Sequence, residues 1–208
     1  MIDLYTWGTP NGRKASIALE EMELDYSVIP INIGKDEQFA SDFLKISPNN
    51  KIPAIVDRET GRSMMESGAI LWYLAHKTGK FLGQDSYVTL EWLMLQMGGV
   101  GPMLGQVHHF LRFNQGVAPY AEDRYRSEGH RLYGVLDKRL QESEFLAGDY
   151  SIADMATWPW ISRWEWHEIS WENYPSLKRW YINIAGRAPV QRGYEVPVAT
   201  TSGIPIPT

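Results

Sequence analysis

Residues 51–68 read Lys-Ile-Pro-Ala-Ile-Val-Asp-Arg-Glu-Thr-Gly-Arg-Ser-Met-Met-Glu-Ser-Gly. Residues 52–56 form an apolar run entered through Pro53. Proline in a sheet belongs at strand starts, edges and bulges, so a strand begins there. Residues 57–62, with Gly61, have turn composition, and residues 63–65 are a second short strand. Residues 66–77 then place Ile70, Tyr73, Leu74 and Lys77 on one side of a helix. The stretch reads ββα.

Upstream, residues 2–7 alternate with period two, and residues 8–12 are a Gly/Thr/Pro/Asn turn cluster. Ala15, Ala18, Leu19 and Met22 recur at helical spacing, with Thr9 as cap and Pro10 in the first turn. Residues 26–33 form a second strand. Residues 38–46 form a short helix with Phe39 and Phe43 four apart. The order βαβ–α–ββα predicts a small α/β sheet covered by helices. Downstream, everything is helical in character. Residues 87–97 are apolar, residues 119–142 carry Leu132, Val135, Leu136 and Leu140, and Ser151 with Asp154 reads as a capping box. Pro175 opens a last helix through residue 187, and a Pro/Thr-rich tail covers residues 196–208. The expected division is an α/β domain over residues 1–79, a linker over 80–87 and an all-helical domain with its tail over 88–208.

The 208 residues are 44% hydrophobic and 12% aromatic, which excludes disorder and repeat architectures. A net charge of −5 argues against a broad nucleic-acid surface. Cysteine is absent, which removes disulfides, thiolate metal sites, a cysteine nucleophile and any CxxC redox pair. The apolar run at residues 69–75 is too short to span a bilayer, and residues 1–6 lack signal-peptide character. The expectation is a cytoplasmic protein without membrane or nucleic-acid partners. Gly99-Val100-Gly101 lacks both a preceding strand and a third glycine, so it reads as a kink or close helix approach. His108 and His109 are adjacent and face different sides of a helix, so no metal site is expected. The tryptophans between residues 158 and 171 read mainly as core.

Three junctions carry the chemistry. At Pro53 both a trans strand-start proline and a cis bond are open. The cis form turns the Ile52 backbone outward, where an extended peptide-like ligand can pair with it. Glu66-Ser67 lies between a strand and a helix. It reads as a simple N-cap or as a site in which the helix N-terminus takes a carboxylate and Glu66 an ammonium. Thr9-Pro10-Asn11 is a cap and turn, or a place where a hydroxyl, an amide and a helix N-terminus stabilise a thiolate. In α/β sheets such junctions gather at one sheet edge, the usual ligand position.

These features together resemble the glutathione transferases: a thioredoxin-like α/β domain followed by an all-α helical-bundle domain. The resemblance covers about residues 1–190. Thr9-Pro10-Asn11-Gly12, the run from Ile46 to Ile55, and the run from Gln96 to Gln106 are similar to the nu class, which includes bacterial disulfide-bond reductases. The resemblance implies glutathione as co-substrate and no metal. It implies that Glu66 and Ser67 hold the γ-glutamyl end, Ile52 before cis-Pro53 pairs with the cysteinyl unit, and Lys51 and Gln38 lie near the glycyl carboxylate. Thr9 and Asn11 would act on the sulfur, while Tyr5 is sheet packing. Arg124 would reach the ligand of a neighbouring subunit in a homodimer. The implied activity is glutathione-dependent disulfide reduction, with organic hydroperoxide reduction and weak conjugation of electrophiles beside it. The alternative is a glutathione-binding regulatory module of the same fold.

Overall fold

The computed structural model describes residues 1–198 and 203–207; of the expected tail, residues 199–202 and 208 lie outside the described residues. The chain forms two compact units, Met1–Lys80 with Ala185–Ile204, and Phe81–Ile184 with Pro205–Thr208. The first unit therefore includes a segment that the sequence assigns to the helical part.

The first unit is built on four strands: β1 (Ile2–Thr6), β2 (Tyr26–Pro30), β3 (Ala54–Asp57) and β4 (Arg62–Met65), in the order β2-β1-β3-β4. β1 runs parallel to β2 and antiparallel to β3, which pairs antiparallel with β4. Helix α1 (Pro10–Glu21) connects the parallel pair, as such a pair requires. Ile2, Leu4 and Thr6 alternate into the core on one sheet face. Tyr5 points the other way and packs on Phe43, in a cluster with Ile31 and Ala54.

The expected helix at residues 38–46 is shorter. A 3₁₀ turn (Glu37–Phe39) and extended Ala40 precede α2 (Ser41–Leu44). The break separates the two phenylalanines: Phe43 is buried, whereas Phe39 is 55% exposed. Helix α3 (Ser67–Thr78) follows β4 and ends on Gly79 in the left-handed region.

The second unit holds α4 (Ser86–Leu95), α5 (Gly101–Val107), α6 (Pro119–Glu142), α7 (Ile152–Ile161) and most of α8 (Pro175–Ala185). The expected kink at Gly99–Gly101 is a π-helical segment, Gln96–Val100, running into α5. The close approach is real: a Cβ on Gly101 would stand 3.3 Å from Trp160 Nε1 of α7. The Ser151/Asp154 capping box opens α7 as expected. Burial pushes the Asp154 carboxyl up to about 6, against the opposing pull of bonds donated by Leu146 N, Ser151 N, Ser151 Oγ and Trp180 Nε1. His108 and His167 meet through their Nε2 atoms at 2.8 Å, and Tyr133 Oη lies 2.8 Å from His167 Nδ1. Burial holds both imidazoles below their ordinary range, His108 at about 4.

Pro189 does not end the helical structure. It sits in the first turn of another helix, α9 (Ala188–Tyr194), where a missing N–H costs nothing. This helix packs on α1 within the first unit.

Candidate functional site

The strand register brings the three junctions together. Tyr5 is paired with Ala54, and Ala54 with Met65. The exit of β1, the entry of β3 and the exit of β4 therefore share one sheet edge. β2 ends there too, because Thr6 is in register with Pro30. Trp7 to Asn11, Ile52–Pro53 and Glu66–Ser67 all emanate from that edge. Gln38 lies on the segment leaving β2, and exposed Lys51 on the segment entering β3.

Thr9 caps α1. Its extended backbone (φ −111°, ψ 163°) lets Oγ1 accept from Gly12 N at 3.1 Å. The Thr9 hydroxyl hydrogen is thereby left to act as a donor. Gly12 is required at this turn: a Cβ there would lie 2.1 Å from Trp7 O. Asn11 is half-buried at the second position of the helix.

The Ile52–Pro53 peptide is cis, so the second of the two open readings at Pro53 is the one the chain adopts. Ser47 Oγ donates to Lys51 O at 2.8 Å and braces the entering segment. Gln38 Nε2 donates to Asp36 Oδ1 at 3.5 Å, while its Oε1 is shielded from water and has no hydrogen-bond partner among the described residues.

Glu66 precedes α3 with φ 67° and ψ 113°, a conformation that costs a residue with a side chain on the order of 1–3 kcal/mol. This turn leaves the Glu66 carboxylate exposed and buries Ser67 at the first position of the helix.

One residue of the site has no counterpart in the sequence reading. Lys14 is fully buried, and its Nζ donates to Ser67 Oγ at 3.3 Å. Burial brings its ammonium down to about 7, and the Glu66 carboxylate pulls in the opposite direction. The signal available was a lysine four residues before Ala18, on the stripe expected to be apolar.

Arg124 belongs to the second unit. It is exposed on α6 and lines a cavity of about 570 Å³ with Tyr120, Tyr125 and Arg131. Among the described residues no group of three or more His, Cys, Asp or Glu is arranged to hold a metal ion, and no helix is long and apolar enough to cross a membrane.

The family model for the glutathione S-transferase N-terminal domain matches residues 1–76. The chain is 52% identical to the disulfide-bond oxidoreductase YfcG of Escherichia coli, over 90% of this chain and 91% of that protein. A crystal structure of a Pseudomonas putida glutathione transferase, with one glutathione disulfide bound per subunit, superposes with a TM-score of 0.89 at 41% identity. It covers 94% of this chain and 91% of that one. A Burkholderia graminis glutathione transferase with two glutathione molecules per subunit gives 0.88 at 40% identity, over 94% and 88%. A βαβ–α–ββα unit followed by helices, the matched domain and full-length relatives of this identity lead to one assignment: the chain belongs to the glutathione transferase family.

Proposed function

We propose that this protein is a glutathione-dependent disulfide-bond reductase of the nu class. The observation that carries the reading is one sheet edge holding three complementary groups in a chain without cysteine: the capped α1 N-terminus, the cis Ile52–Pro53 backbone and the Glu66–Ser67 pair. The name of the Escherichia coli relative and the disulfide in the Pseudomonas putida structure support it.

Glutathione supplies the thiol that the chain lacks. Glu66 takes the γ-glutamyl ammonium, and Ser67 with the α3 N-terminus takes the α-carboxylate. The Ile52 backbone pairs with the cysteinyl unit, while Lys51 and Gln38 hold the glycyl end. Gln38 Oε1, which has no hydrogen-bond partner among the described residues, would accept from an amide N–H of the ligand. The sulfur then lies at the α1 N-terminus with the Thr9 hydroxyl and Asn11 amide. A free thiol has a pKa of about 8.5 and is only a few per cent ionised at pH 7. Lowering it by about two units takes roughly 2.7 kcal/mol, within reach of two hydrogen bonds to charged sulfur and a helix dipole.

The thiolate attacks one sulfur of the substrate disulfide. A glutathionyl mixed disulfide forms, and the first substrate thiolate leaves and takes a proton from solvent. A second glutathione thiolate attacks the glutathionyl sulfur. Glutathione disulfide forms, and the second substrate thiol is released. Two glutathiones lose two electrons, and the substrate gains them. The same thiolate can reduce organic hydroperoxides; conjugation of electrophiles is the weaker activity. The reading places the protein in the cytoplasm as a homodimer, with Arg124 directed toward the neighbouring subunit's ligand.

The test is steady-state reduction of 2-hydroxyethyl disulfide, coupled to glutathione reductase and NADPH, with a chlorodinitrobenzene conjugation assay alongside. Disulfide turnover well above conjugation is expected. Thr9→Ala and Asn11→Ala should lower kcat more than they weaken glutathione binding. Alkylating the protein with iodoacetamide beforehand should change nothing, because the thiol is the ligand's. Glutathione binding with no turnover in either assay would instead identify a regulatory module, and strong conjugation without disulfide turnover would overturn the reading.

A further inference from the structure

We propose that Trp7 is a specificity-determining residue for the disulfide substrate: its indole is a flat apolar wall beside the reacting sulfur and selects disulfides that carry an aromatic ring next to the S–S bond. The inference rests on the disulfide reduction proposed for the Thr9 sheet edge and names the substrate class for it.

Trp7 is set apart by its surroundings. The chain has nine tryptophans. Every one but Trp7 has a ring, a guanidinium or a hydrogen-bond acceptor as partner; Trp164 and Trp171 pack on each other, Trp92 lies under Arg139, and Trp180 Nε1 donates to Asp154. Among the described residues the Trp7 side chain has no such partner, and it is half-buried rather than packed away. A large aromatic left without a partner at the edge of a ligand site has its ring faces available to a ligand.

Its backbone is held at the site. Trp7 O accepts from Thr9 N at 2.7 Å, which ties the residue to the cap of α1. Gly8, between them, is exposed, and a Cβ there would meet nothing within 4 Å, so no side chain intervenes at that point.

The strand register gives the face. Tyr5 is opposite Ala54. Carried two residues past the ladder, the same antiparallel register sets Trp7 opposite Ile52. Alternation puts Trp7 on the face of Tyr5. Tyr5 and Ile52 pack on one cluster there, with Phe43 and Ala54. Ile52 is assigned to the cysteinyl backbone of glutathione and Thr9 to its sulfur. Trp7 therefore neighbours both residues that act on the cysteine of the ligand.

The substrate sulfur must approach the glutathione sulfur in line with its own S–S bond. The group it carries then comes within a side-chain length of Trp7. An indole stacks on another ring, offset or edge to face, and favours contact with polarizable sulfur. A hydroxyethyl group offers no ring. The attack itself is the thiolate displacement described above. Trp7 supplies binding, so its effect falls on KM rather than kcat.

The experiment is steady-state reduction of two disulfides by the full-length protein at saturating glutathione, coupled to glutathione reductase and NADPH. The pair is bis(4-hydroxymethylbenzyl) disulfide and 2-hydroxyethyl disulfide. Both release thiols on saturated carbon, which matches the leaving groups. The wild type is expected to show a KM about tenfold lower for the benzylic disulfide. Trp7→Ala and Trp7→Leu should raise the benzylic KM about tenfold and erase the difference, with kcat moving less than about twofold. Trp7→Phe, which keeps a ring, should retain most of the preference. Calorimetric binding of S-methylglutathione shows that each variant keeps its fold and glutathione site. Equal KM values for the two disulfides in the wild type, or a Trp7→Leu variant that binds S-methylglutathione and keeps the wild-type ratio, overturns the proposal. The wild-type ratio stands as a test even if a variant fails to fold. Turnover of neither disulfide by the wild type overturns the reductase reading itself, which is a different result from turnover without preference.

Discussion

Glu66 is held against its own backbone preference at the sheet edge where the proposed site lies. Its φ of 67° is unfavourable for any residue with a side chain, and no side-chain capping bond repays it. The conformation swings the chain from β4 into α3, leaving the carboxylate exposed over buried Ser67. The exposed Glu66 side chain packs little, and it is its charge that the proposed site would use. Glu66→Ala is therefore expected to weaken glutathione binding by about 1–3 kcal/mol, the worth of a charge-assisted hydrogen bond, while the thermal midpoint moves little. A fluorescence titration and a melting curve check both parts; unchanged affinity would remove Glu66 from the site. The junctions at Thr9, Pro53, Glu66 and Ser67 were legible because cap and turn residues announce them. Lys14 was not, because a lysine in an amphipathic helix normally faces water, and only the tertiary cover over α1 buries it.

That cover belongs to the scale of elements. The spacing of Ala15, Ala18, Leu19 and Met22 correctly places one face of α1 on the sheet, but Arg13, Lys14, Ser16 and Glu21 are buried as well. For Arg13 and Ser16 the reason is α9, a seven-residue helix too short to show a period; Lys14 is met from α3, at Ser67. Helix α9 docks through backbone as well as through the buried Val190 and Tyr194 side chains. Ser16 Oγ donates to Gly193 O at 2.6 Å, and Arg13 Nε donates to Tyr194 O at 3.0 Å. Gly193 permits the approach: a Cβ there would stand 2.7 Å from both Cα and N of Ile17. Backbone cannot yield as a side-chain end does, so Gly193→Ala should push α9 off α1 and cost about 1–3 kcal/mol. Chemical denaturation of the variant measures this, and a loss below about 0.5 kcal/mol would show that the helix pair adjusts freely. The strands were legible by contrast because alternation and proline punctuation act over four or five residues.

At the scale of the whole molecule, the order of elements was legible and the return of the chain was not. Residues 1–80 look self-sufficient in sequence, yet Ala185–Ile204 completes their unit, a long-range pairing that no local pattern encodes. What the described surface leaves uncovered leads to the remaining prediction. On α4, Tyr87 and Met94 share a face seven residues apart and are 77% and 50% exposed. On α6, Tyr120 is 81% exposed beside Arg124 and Arg131. Tyr120, held out in water beside Arg124 and Arg131, has the composition of an interface core with a polar edge, and Tyr87 and Met94 are a second exposed pair on α4. The homodimer proposed above would cover them. Light scattering should then give twice the 23.8 kDa chain mass. The double variant Tyr87→Glu, Tyr120→Glu should give a single chain mass, because a carboxylate buried without a partner costs more than such an interface can offset. A wild-type protein that remains monomeric at micromolar concentration would refute the dimer and leave Arg124 without a neighbouring ligand to reach.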